Sequence, residues 1–460
     1  MNTSQNVAVK MSQQERRAAL SLASIYALRM LGLFMILPVF SLYADELDGA
    51  TPALAGLAIG IYGMTQAILQ IPFGLVSDRI GRKPVIIFGL LVFVAGSLVA
   101  AAADSIGMVI LGRALQGSGA IAAAVMALAA DLTREEQRVK TMAIIGMSIG
   151  ASFAMAIILG PILNTWIGVP GIFTLTAVLA LAGIAVVAFI VPDPVVSRVH
   201  RDAETVPAQL GSILRDSQLL RLDIGILILH MILTATFVVL PLVLRDQAGF
   251  DPVDHWKLYL PVLLISLPLA IPFILQAEKY GRIKQVFLGA IIVIVIAEIG
   301  LFSLHQSIMG IAIMLAVFYA GFNLLEAILP SLISKVAPAD GKGTAMGVYS
   351  SSQFFGAFLG GSLGGWLHGH YGLTSVFLFC GAAAVVWFLI AMSMQQPGRY
   401  KSRLLRIDVT NEQEARTVSE RLAGIAGVVE VVVVAEENLA YLKVEQKNLD
   451  EDALAASLAG

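Results

Sequence analysis

The chain has 460 residues, 58% of them hydrophobic and only 13% charged, with a mean hydropathy of +0.84. Soluble domains carry about a quarter charged residues, so lipid is the expected solvent and a water-soluble enzyme is excluded. A net charge of −2 without a basic aromatic surface gives no nucleic-acid partner, and a single cysteine, Cys380, allows no intrachain disulfide.

The polar stretch Met1–Arg17 precedes a long apolar run without a small-residue cleavage site, so no removed signal peptide is expected. A bilayer core needs about 20 apolar residues per helix. Runs of that kind cover 18–43, 53–77, 83–103, 106–130, 138–163 and 171–192, then 219–244, 257–277, 284–304, 308–336, 343–367 and 373–394. The predicted fold is an all-α membrane protein of twelve transmembrane helices in two pseudo-symmetric six-helix halves, 18–192 and 219–394. With the N-terminus inside, Lys and Arg crowd the inner loops, at Arg79, Arg82, Lys83, Arg134, Arg138, Lys140 and onward, and the outer loops keep Arg245 and Lys257. That asymmetry predicts a multi-pass membrane protein with both termini cytoplasmic.

Residues 193–218 form the longest internal loop. Within it Leu210, Ile213, Leu214 and Leu219 have helical spacing, so Pro207–Leu220 is either a surface helix or part of a flexible tether. Beyond the turn at Gln395–Gly398 the composition changes. Leu404–Val409 reads as a strand, Glu412–Ala426 as a helix, Val428–Ala435 and Leu439–Glu445 as a hairpin, and Glu451–Leu458 as a last helix. This order predicts a small ferredoxin-like α+β tail, 402–460, lacking its last strand.

The strongest local signal is Gly74-Leu-Val-Ser-Asp78-Arg79-Ile-Gly81-Arg82-Lys83-Pro84, set between the second and third runs. Gly74 permits close helix approach, Gly81 a tight turn, and Pro84 a helix start. Arg82 can pair with a carboxylate at the same level, and Asp131 is the candidate. A degenerate copy, Ile274-Leu-Gln-Ala-Glu278-Lys279-Tyr-Gly281-Arg282-Ile-Lys284, stands 200 positions later, and Gly168-Val-Pro-Gly-Ile-Phe173 is echoed by Gly372-Leu-Thr-Ser-Val-Phe377. Internal duplication of this sort organises many secondary transporters.

The loop at 74–84 resembles the signature of the major facilitator superfamily, and the duplicated twelve-span plan agrees over about residues 18–394. The resemblance implies that Gly74, Asp78, Arg79, Gly81, Arg82 and Asp131 form a conformational latch, with Asp78 facing a helix that starts near Gly341-Lys-Gly343-Thr344. Arg113-Ala-Leu-Gln116-Gly-Ser-Gly-Ala120 resembles the family's fourth-helix motif, implying that Arg113 and Gln116 modulate proton or substrate charge. Gly146, Gly150, Gly160 and Pro161 match part of the antiporter motif, or serve close packing.

Charged side chains inside a span are expensive and mark cavities or proton paths. Arg29, Glu298 and Glu326 are of this kind, joined by His230 and Asn323. Arg29 has no carboxylate within a turn of its own helix, and Glu326 is its candidate partner. Met30, Met35 and Met147 are candidate cavity linings.

The tail resembles small heavy-metal-associated domains, but the segment Val409–Gln413 carries no thiols, so no metal is expected. No Walker loop or hydrolytic triad stands out, so neither a cofactor nor an enzyme is expected. The expected activity is proton-coupled efflux of an amphipathic, drug-like solute by alternating access, with protons, a small molecule and the bilayer as partners. The tail is expected to contact the inner loops or a second copy of itself. A nutrient-importing symporter or facilitator, and a membrane sensor signalling through the tail, are the alternatives.

Overall fold

A computed structural model of the chain describes residues 11–194, 204–396, 398, 400–407, 409, 411–445 and 448–459. The first half contains α1 (Gln13–Phe34), α2 (Phe40–Tyr43), α3 (Pro52–Ile80), α4 (Arg82–Ala101), α5 (Ile106–Ser118), α6 (Ala122–Leu132) and α7 (Glu135–Phe189). A short α8 (Pro207–Ile213) follows, then α9 (Ser217–Asp246), α10 (His255–Tyr280), α11 (Ile283–Leu304), α12 (Ile308–Val336), α13 (Lys342–Tyr371) and α14 (Ser375–Met392). The tail is β1 (Tyr400–Arg406), α15 (Glu412–Ala423), β2 (Val428–Val434), β3 (Leu439–Glu445) and α16 (Glu451–Ala459).

Helix starts follow their capping residues. Ser12 and Glu15 exchange hydrogen bonds in a capping box at α1, Thr51 caps α3 just before Pro52, and Asp216 caps α9. That last cap ends the expected surface helix early: α8 stops at Ile213 because Asp216 starts a new helix. Within the 193–218 linker, 195–203 lie outside the described residues.

Among the described residues ten helical stretches are long and apolar enough to cross a membrane. One of them, Lys140–Phe189, has 50 residues. A straight helix of that length would run about 75 Å, far beyond a hydrocarbon core of about 30 Å. It is broken at Gly168, where φ is 64°. The apolar run 106–130 is likewise interrupted, between α5 and α6 at Gly119–Ile121. The glycine- and serine-rich α13, although 30 residues long, is not one of the ten.

Burial separates central from peripheral helices. The apolar window of α9 is 89% buried and that of Pro252–Ala277 only 33%, which leaves Leu264, Ile265, Leu267 and Leu269 facing outward as lipid contacts. Between the halves, α3 and α13 meet through glycines: a Cβ on Gly56 would stand 2.2 Å from the Gly361 carbonyl oxygen, and one on Gly365 2.4 Å from that of Pro52. No larger side chain permits backbones so close. Both sequence echoes have a conformational counterpart: Gly81 (φ 99°) and Gly281 (φ 67°), Gly168 (φ 64°) and Gly372 (φ 87°) all turn in the left-handed region.

The tail sheet is antiparallel in the order β1-β3-β2, with Tyr400 opposite Glu445 and Val434 opposite Leu439. It encloses a core of Leu422, Ala440, Leu442, Val444 and Leu454, as a ferredoxin-like unit would. Strand β1 begins four residues before the expected Leu404, because β3 offers seven pairing positions and Tyr400–Arg406 fills them.

Candidate functional site

The turn between α3 and α4 carries the motif. Gly81 reverses the chain, so Arg82, first residue of α4, swings back beside the last turn of α3. Its guanidinium is 1% exposed and surrounded by acceptors. It pairs with Asp78, donates to Ser77 Oγ at 2.9 Å, to Asp131 Oδ2 at 3.3 Å and to Glu204 Oε1 at 2.8 Å. Gly74 allows α6 to come near enough to deliver Asp131, since a Cβ there would meet Ala123 at 2.9 Å.

Asp78, Arg82 and Asp131 therefore come together as the sequence predicts. Glu204, from the linker, was not foreseen: it sits in an aperiodic, charged loop, and only Pro207, a helix starter three residues on, hinted that the chain is pinned there. Burial pushes the Glu204 carboxyl up to about 8; Arg82 opposes the shift, while Asp78 and Asp131 add to it. Arg79, placed in the latch by sequence, is instead exposed at the end of α3. Asp78 bonds to Arg82, while two hydrogen bonds at Thr344, in the first turn of α13, go to the linker: the Val206 amide donates to Thr344 Oγ1 at 2.9 Å, and Thr344 Oγ1 to Gln209 Oε1 at 2.9 Å.

A cavity of about 1090 Å³ lies between the halves at the motif end. Its walls include Met126, Met142, Met147 and Met346, with Gln70, Asp78, Arg82, Glu204 and Lys342 among the polar groups. Arg403 and Leu404 of the tail also reach it. Beyond it, Gln70 Nε2 donates across the halves to Ser351 Oγ at 2.8 Å, and the glycines of α3 and α13 close the opposite end. Of the methionines expected in the wall only Met147 is there; Met30 and Met35 are 4% and 1% exposed and pack in the core.

Two further arginines of the first half, Arg29 and Arg113, sit deeper. Arg29 Nη2 donates to Tyr62 Oη (2.9 Å), Gln66 Oε1 (2.8 Å) and the Gly119 carbonyl (2.9 Å). That carbonyl stands at the break between α5 and α6, where it also accepts from the Ile121 amide at 2.9 Å. The expected partner Glu326 is not among its contacts; carbonyl and amide oxygens solvate the guanidinium instead. Arg113 donates to Gln116 (2.8 Å) and to the Ala58 and Ile59 carbonyls (3.3 and 3.4 Å), and lies 5.3 Å above the Tyr62 ring. Gln116 passes the chain on to Ser97 at 2.7 Å. None of these groups lines the cavity.

The second half holds the acids. Glu326 Oε1 stands 3.6 Å from His230 Nε2, which also meets Gln353 Nε2 at 2.8 Å. Asn323 donates to Ser266 at 3.3 Å. Glu298 is fully buried, its Oε1 accepting from Thr236 at 3.1 Å, away from the cavity. In the second motif copy, Lys279 is exposed over Tyr280, Gly281 makes the turn and Arg282 precedes α11; the Glu278 side chain lies outside the described residues. Of the antiporter-motif residues, Gly160 brings α7 against α1, a Cβ meeting the Met35 carbonyl at 2.5 Å, and Pro161 follows it in the helix. Gly150 has nothing within 4 Å and serves no packing contact.

Two halves packed through glycines around an interfacial cavity, with charges pinned at one rim, have the layout of a membrane transporter. The chain matches the Major Facilitator Superfamily over residues 22–277 and 262–405, and belongs to that family. It is 48% identical over 439 residues to the inner membrane transport protein YajR of Escherichia coli (strain K12), covering 95% of this chain and 96% of that one. Over 385 residues it is 26% identical to the multidrug resistance protein MdtH of Klebsiella pneumoniae, covering 82% and 94% of the two chains. A bacterial homolog of the human lysosomal transporter Spinster, solved in an inward-facing and occupied conformation, has the same fold (TM-score 0.70, 13% identity, 83% and 97% of the chains covered).

Proposed function

We propose that the protein exports an amphipathic solute across the bacterial inner membrane in exchange for protons, by alternating access. In this reading α7 crosses twice, α5 and α6 together once and α13 once, giving twelve spans with both termini cytoplasmic. The motif end is then the inner end. The observation that carries the reading is the interfacial cavity, walled largely by apolar side chains and closed at the end remote from the motif. Methionines in the wall suit solutes of varied shape, since their side chains bend and polarise. The multidrug name of one relative points the same way. The Asp78, Arg82 and Asp131 cluster would be the latch whose breaking accompanies the swing between states.

Proton exchange is assigned to Glu326 with His230 and Gln353, a half-buried acid, imidazole and amide on α12, α9 and α13. The test is purified protein in liposomes, loaded with a fluorescent amphipathic dye and given a pH jump. Dye should move against the proton gradient, Glu326→Gln should abolish that coupling, and Asp78→Asn should stop flux without affecting insertion. Dye moving with the protons would make the protein a symporter instead.

A further inference from the structure

Residues 204–209 run from one half of the molecule to the other. At one end Glu204 Oε1 takes a hydrogen bond from Arg82 at 2.8 Å. At the other, Val206 and Gln209 hold Thr344 (2.9 Å each), and Gln209 Nε2 donates to Asp340 Oδ2 at 2.7 Å. Between them Thr205 rests directly on α13: a Cβ on Gly347 would stand 3.6 Å from Thr205 Cβ. Glu204 and Thr205 border the cavity beside Asp78, Lys342 and Gly343. A mere tether would not bury a carboxylate, yet Glu204 is 7% exposed, and its Oε2 has no partner among the described residues. A half-satisfied buried acid grips weakly, as a contact that must open requires.

We infer that Glu204 and Thr205 form a gate strap, which ties the Arg82 cluster to the start of α13 while the opposite end is closed and releases before a solute passes the motif end. This rests on the transport reading above, but its test needs no transported solute. Thr205→Cys with Gly347→Cys sets two Cβ atoms 3.6 Å apart, inside the disulfide range of about 3.5–4.5 Å. The native Cys380 is fully buried and does not interfere. Met147→Cys supplies a reporter in the cavity wall, 67% exposed.

In full-length protein in membranes, mild oxidation should link 205 to 347. A water-soluble maleimide should then label the reporter about tenfold more slowly than after reduction, read site by site by mass spectrometry. Glu204→Lys, which sets a cation beside Arg82, should speed reporter labelling and prevent the cross-link. Glu204→Gln keeps the acceptor but cannot ionise, so its cross-link should still form. Failure of the cross-link to form, reporter labelling indifferent to it, or Glu204→Lys without effect would each overturn the strap. Loss of dye flux with these results intact would count only against the transport reading.

Discussion

At Arg82 one guanidinium faces three carboxylates, those of Asp78, Asp131 and Glu204, and the side chain of Asp131 is itself 0% exposed. Removing the cation leaves the buried Asp131 and Glu204 carboxyls without their counter-charge. Breaking a buried pair from one side costs about 3–5 kcal/mol. Arg82→Met should therefore lower the thermal midpoint of the purified protein markedly, and Arg82→Lys should recover only part. A lysine is a point charge, whereas the guanidinium fork reaches several partners at once. An unchanged midpoint in Arg82→Met would show that the cluster carries no stability. Arg29 and Arg113 follow another rule, being solvated by carbonyls, amides and the Tyr62 ring without any carboxylate contact. Residue type announced their burial, but not how they would be satisfied, because the backbone carbonyls they reach, those of Gly119, Ala58 and Ile59, leave no mark in composition.

Among the elements, the linker strap should respond to pH, and the sign is fixed. Glu204 has an ordinary value of 4.5 when undocked and about 8 when docked. A docked state that holds its proton more tightly is favoured fully below the lower value and weakens as pH rises through the higher one. The groups facing it are Arg82, Asp78 and Asp131, with Arg138, Lys342 and Arg403 bordering the same cavity. Reporter labelling at position 147, expressed relative to the same reporter in Glu204→Gln, should rise between about pH 6 and 9. A flat ratio across that interval rejects Glu204 as the titrating group. Helices of this protein were largely legible, since about 20 apolar residues in lipid leave the backbone few alternatives. Asp78 and Arg82 were legible through the spacing around Gly81, and Asp131 as the carboxylate that ends the fourth apolar run. What hydropathy could not register is a short polar strap: Glu204–Gln209 has no period, and its partners Arg82, Asp340 and Thr344 are distant in sequence.

For the molecule as a whole, the question is how the tail sits on the bundle. Lys443 Nζ donates to the carbonyls of Val336 and Ala337, at 3.2 and 2.8 Å, at the C-terminal end of α12, where the helix dipole favours a cation. Glu430 accepts from the Ala339 amide at 3.1 Å, and Ala339 packs with Val434, Leu439 and Tyr441. A nearly continuous β-branched run and a helical apolar stripe made the tail's own fold readable, whereas Lys443 and Glu430 look in sequence like any solvated hairpin charges. Hydrogen bonds to a charged group contribute about 1.5–3 kcal/mol, and Lys443 is 7% exposed. Lys443→Glu places a carboxylate against the negative end of α12 and should undock the tail. Hydrogen exchange should then accelerate at Ala339 and along β2 and β3, with exchange in α9 unchanged. Because Arg403 and Leu404 border the cavity, undocking should also raise reporter labelling at 147 while the 205–347 cross-link still forms. Exchange at Ala339 that ignores the substitution would mean the seat is held by other contacts, and labelling that ignores a demonstrably undocked tail would remove the tail from the gate.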